Sequence, residues 1–99
     1  MQAPKQAEFA RKIALLILFI EDQGYHVTFG DAFAKTGHTA RSFHYKRLAI
    51  DLNLFDADWN YLPRTEDHRQ FGEFWESIGG TWGGNFKRKD GNHYSMGES

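Results

Sequence analysis

Four side chains in this sequence have the types to run hydrolytic chemistry at a metal ion: His44, Asp51, Asp90 and His93. The chain has no cysteine, so no thiolate site or disulfide is available, and a divalent ion must be held by histidine, aspartate or glutamate. A catalytic zinc centre takes three protein ligands and keeps a fourth position for water, and neutral imidazole with carboxylate is a common ligand set when thiolates are missing. His44, Asp51 and His93 form a candidate set of this kind. Asp90 opens the run Asp90-Gly91-Asn92-His93, where a carboxylate can take the proton of an attacking water and pass it to a leaving amine. The same Asp-Gly-Asn order also suits a plain turn, and spacing leaves both roles open.

The elements that must position these residues are legible from periodicity. Leu48, Ile50, Leu52 and Leu54 alternate with Ala49, Asp51 and Asn53, which predicts a strand over 48–55 with Asp51 on the face opposite the apolar one. His44 lies just before that strand, and His93 must arrive from the C-terminal segment as a neighbouring strand. Upstream, Phe9, Ile13, Leu16, Ile17 and Ile20 recur at helical spacing, predicting a helix from near Pro4 to Gly24. Tyr25–Phe29 is β-branched and aromatic and reads as a strand ended by Gly30. Residues 31–41 read as a loop or short helical turn. Thr65 is the expected N-cap of a second helix carrying Phe71, Phe74, Trp75 and Ile78 and ending at Gly79-Gly80. Trp82–Phe86 reads as a short strand or loop, and 87–92 as a polar turn.

Composition narrows the function classes. Ninety-nine residues make one domain, 1–99, without room for a separate targeting module. At 40% hydrophobic and 16% aromatic the chain can bury a core. Twelve Lys and Arg against 13 Asp and Glu leave a formal charge of −1, so no nucleic-acid partner is expected. A small nucleic-acid-binding protein using Lys46, Arg47 and Lys87-Arg88-Lys89 is the rival that this balance disfavours. The apolar run Ile13–Ile20 is too short to span a bilayer and meets Glu21-Asp22 without a small-residue cleavage pattern, so it is read as a core helix, with no membrane insertion and no signal peptide.

Several motifs together carry a resemblance. Gly24-Tyr25-x-Val27-Thr28, Gly30-Asp31-Ala32-Phe33, Ser42-x-His44, Arg47–Phe55, Thr65-Glu66-Asp67-His68, Trp75-Glu76, Gly79-Gly80-Thr81-Trp82-Gly83-Gly84 and Asp90–Ser95 occur in one order over most of the chain. In this the sequence resembles the zinc peptidases that include D-Ala-D-Ala carboxypeptidases and phage L-alanyl-D-glutamate endopeptidases. The resemblance implies a small α+β domain, with an antiparallel sheet carrying the zinc site and two main helices packed against it. It also implies one zinc ion on His44, Asp51 and His93, Asp90 as the catalytic carboxylate, and the peptidoglycan stem peptide as substrate. A monomer is expected, made in the cytoplasm of a bacterial host, encoded by a phage or prophage, and acting on the cell wall.

Relatives often follow the glycine-acid-alanine-aromatic motif with an arginine that binds substrate or steadies the oxyanion, whereas Ala34 stands at that place here. Arg41 is the candidate replacement cation, a surface arginine being the other reading. Ser42 stands where family members keep a serine, for substrate contact or loop capping. Trp82, flanked by glycines that permit close approach, is the tryptophan expected to line a substrate groove; Trp59 and Trp75 are read as core. His68 is expected to be structural or solvent-facing, and His26 and His38 to lie on the surface. The alternative function, motivated by Ala34, is a non-catalytic zinc-containing module that binds cell-wall peptides or a protein partner.

Overall fold

A computed structural model describes residues 3–30 and 48–96. Helix α1 (Ala3–Asp22) forms over the expected periodic stretch, and Phe9, Ile13, Leu16 and Ile20 make its buried stripe. Gly24 then turns the chain at a φ of +90°, a left-handed conformation that a Cβ would penalise. Strand β1 (His26–Phe29) follows, one residue shorter than expected.

Strand β2 (Ala49–Phe55) obeys the alternation. Leu48, Ile50, Leu52 and Leu54 are buried, while Asp51, Asn53 and Phe55 on the other face are only partly covered. Helix α2 (Thr65–Ser77) corrects one detail. Arg64, not Thr65, holds the cap position in extended geometry, and Thr65 is the first helical residue. The Asp67 carboxylate reaches back to accept the Arg64 backbone N–H at 3.0 Å, so the helix entry is closed without the threonine hydroxyl. At the other end Gly79 (φ +99°) donates to Glu76 O and Gly80 donates to Trp75 O, satisfying carbonyls that the helix leaves open.

The last third of the described chain is β3 (Thr81–Trp82), a single 3-10 turn (Gly83–Asn85) and β4 (His93–Ser95). The sheet is antiparallel throughout, in the order β1-β2-β4-β3, which makes the fold α+β as expected. One apolar core joins Leu16 and Ile20 of α1, Phe71 and Trp75 of α2, and Leu52, Leu54 and Tyr94 of the sheet. Phe9 and Tyr94 both meet the Trp75 ring edge-on, at 6.0 and 6.2 Å between centroids. Both helices thus pack on the face of β2 that carries the leucines. Among the described residues, neither helix covers the face carrying Asp51.

Candidate metal centre

Asp51 and His93 face each other directly across β2 and β4. Leu52 N–H donates to Asn92 O and Met96 N–H to Leu48 O, so the even-numbered β2 residues exchange the ladder hydrogen bonds. Asp51 and His93 therefore form a non-hydrogen-bonded pair, the arrangement in which opposed side chains stand closest. His93 Nδ1 and Asp51 Oδ1 lie 3.5 Å apart, with His93 buried and Asp51 partly covered. Phe86 packs against the imidazole at 5.4 Å.

Asp90 joins them from the turn before β4. Asp51, Asp90 and His93 each offer a ligand atom, and these atoms lie within 4.8 Å of one another. Donors bound to one zinc ion at about 2.0–2.2 Å sit no more than about 4.4 Å apart, so small side-chain rotations let this group share or flank a divalent cation. Oxygen and imidazole nitrogen suit such an ion. Asp90 is the exposed member, on the solvent side of the cluster.

The turn that presents Asp90 is fixed from several sides. Asp90 N–H donates to Gly83 O at 2.9 Å, and His93 N–H donates to Asp90 O at 3.1 Å. The Trp82 indole N–H donates to Gly91 O at 2.7 Å in a buried hydrogen bond. A Cβ on Gly83 would meet Asp90 O at 2.2 Å and His93 Cβ at 2.8 Å, and a Cβ on Gly91 would meet Thr65 at the start of α2. Only glycine permits either approach. These two residues position the site, and spacing did not single them out; their signal was the Gly-Gly step after Trp82 and the Gly that follows Asp90.

Trp82 departs from its expected place. It is fully buried, closed in by Gly72 and Gly84, with the Arg69 guanidinium 5.5 Å from its ring. The flanking glycines make a cradle for the indole instead of an approach for substrate, so Trp82 acts on the site through Gly91 and lines no groove. Trp59, in contrast, was read as core and is exposed.

His68 is structural. It is buried on α2 with Nδ1 2.8 Å from the Tyr94 hydroxyl, on the opposite face of β4 from His93. Burial lowers the His68 pKa to about 4, with the Asp67 charge opposing, and burial pushes the Tyr94 phenol well above its usual range. Two neutral groups share this hydrogen bond at neutral pH. His26, expected on the surface, is half-buried beside Trp59. His44, Ser42, Arg41, Ala34 and His38 lie outside the described residues.

A family model described as D-alanyl-D-alanine carboxypeptidase matches residues 36–96, a stretch containing His44, Asp51, Asp90 and His93. No curated protein matches the chain.

Proposed function

The chain belongs to the D-alanyl-D-alanine carboxypeptidase family of zinc peptidases, and from that premise we propose that it hydrolyses a peptide bond in the stem peptide of peptidoglycan, as a monomer. The observation that carries this reading is the convergence of Asp51, Asp90 and His93 within 4.8 Å on the sheet face away from the core. Asp51 and His93, with His44, would hold one zinc ion. An ion held there would supply Lewis acidity and would bring the pKa of a water near neutrality.

The chain's own residues do the rest. Asp90 takes the proton from the water as it attacks the scissile carbonyl and hands it to the departing amine nitrogen, so that bond cleavage releases a neutral amine. Its exposure suits a group that must meet both water and substrate. β2 and β4 hold Asp51 and His93 as a rigid cross-strand pair, which preorganises the ligand set. Arg41 is the proposed cation for the oxyanion, in place of the arginine that Ala34 replaces.

Purified protein should carry about one zinc per chain, as the ligand set implies, and release free amino groups from peptidoglycan, with activity lost on chelation and restored by zinc. Protein that holds zinc and cleaves no stem peptide would favour the second reading, a wall-binding module, for which Ala34 is the specific sequence feature. Fragment masses from a defined muropeptide identify the bond.

A further inference from the structure

The sheet face that carries Asp51 also carries a row of aromatic side chains. His26 of β1 stands directly opposite Phe55 of β2, and Phe55 bridges to Tyr61 on its other side. Phe55 follows Asp51 and Asn53 at every second position, so all three share one face. Trp59 stacks on His26 at 4.3 Å with ring planes 4° apart, and Phe55 lies 5.8 Å from Trp59 and 5.5 Å from Tyr61. Trp59 is 59% exposed and Tyr61 55%, whereas Trp75 and Trp82 are fully buried.

The loop holding Trp59 is built, not loose. One Asp56 carboxylate oxygen accepts the backbone N–H groups of Asp58 and Asn60 at 2.9 Å each, and the other accepts the Asn60 side-chain amide at 3.0 Å. Trp59 itself sits at φ +66°, a left-handed conformation that costs a bulky residue energy. The fold therefore spends strain to keep an indole in water on top of a histidine ring. Packing does not account for that, since an indole placed for the core would be buried. Between this row and the metal centre lies one polar row, where the Asn53 amide donates to Thr28 Oγ1 at 3.3 Å.

We propose that the His26–Trp59–Phe55–Tyr61 row is a saccharide platform that takes a pyranose ring of the wall glycan. The axial C–H groups of a pyranose give it an apolar face that packs flat on an aromatic ring, while its hydroxyls stay hydrated at the rim. Continuity with the metal centre identifies the occupant. Phe55 lies four positions beyond Asp51, about 13 Å along β2, which is also the reach of about four residues of extended peptide. A sugar on the platform and a peptide bond at Asp51 and His93 thus fit within one glycan-linked stem. This assignment rests on the reading of peptidoglycan as substrate.

The test is an NMR titration of zinc-loaded protein with glycan strands stripped of their stem peptides. Trp59 indole and Tyr61 ring signals should shift while those of Trp75, Trp82 and His93 stay in place. Trp59→Gly, which keeps the left-handed backbone, and Tyr61→Ala should each weaken binding about three- to tenfold, the value of one aromatic contact. Absence of shifts at Trp59, or wild-type affinity in Trp59→Gly, overturns the platform. So does a patch whose signals move only with protein concentration, which marks a second copy as its occupant. The two readings fail separately. Glycan binding without cleavage of any stem peptide sinks the peptidase alone, and cleavage without glycan binding sinks the platform alone.

Discussion

Asp90 and His93 stand within one cluster yet have different duties in the proposed mechanism, and single substitutions separate them. Asp90→Ala removes a proton acceptor that lies at the exposed edge of the group, so zinc content should persist while turnover falls by about 10²- to 10⁴-fold, the range for a lost general base. His93→Ala removes a buried side chain that is a proposed ligand, and both metal content and turnover should go. Metal analysis beside an amine-release assay reads the pair; an Asp90→Ala protein with wild-type turnover would remove the base assignment. Asp51 was legible in the sequence because strict alternation with leucines put it on the outer face. Its grouping with His93 was expected, but their standing directly opposite was not legible, because a cross-strand pair depends on register and no local pattern records which residue of β4 faces Asp51.

Elements decide how firmly the turn before β4 is held. Gly83 O accepts the Asp90 N–H, and the close approach at Gly83 leaves no room for a side chain beside Asp90 and His93. Gly83→Ala should therefore lower turnover and weaken zinc together, and overpacking of this kind costs about 1–3 kcal/mol of stability, measurable by urea unfolding. Wild-type zinc affinity and stability in that variant would show that the turn absorbs a methyl group freely. The helices and the long strand were readable from 3.6- and 2-residue periods, since each presents one apolar face to a shared core. β3, with two residues, was readable only as a strand or loop, and β4, with three, only as the strand that His93 required, because elements that short take their definition from neighbours. The misplacement of Trp82 has the same origin: glycines around an indole look alike in sequence whether they open a groove or line a socket.

At the scale of the whole molecule, a neutral histidine in the core couples folding to acidity. His68 is held near pKa 4 by burial, against about 6.5 in an unfolded chain. Above that upper value the group is neutral in both states and makes no difference. As pH falls from about 6.5 to 4, the unfolded chain takes up a proton that the folded one refuses, and about 3 kcal/mol of stability is withdrawn. Denaturation midpoints should drop across that window, and His68→Gln should flatten the drop; an unchanged slope would mean that other groups set the acid limit. The cross-strand pair has a broader consequence. Asp51 and His93 belong to neighbouring strands that are remote in the chain, so a shared cation works as a removable staple through the middle of the sheet. At a hundredfold excess over its Kd such a ligand adds about 2.7 kcal/mol, or roughly 10–20 °C in Tm for a domain of this size. Calorimetry in chelator and in zinc would then report how much of the domain's heat resistance is borrowed from the solution around it, and His93→Ala should melt at one temperature in both.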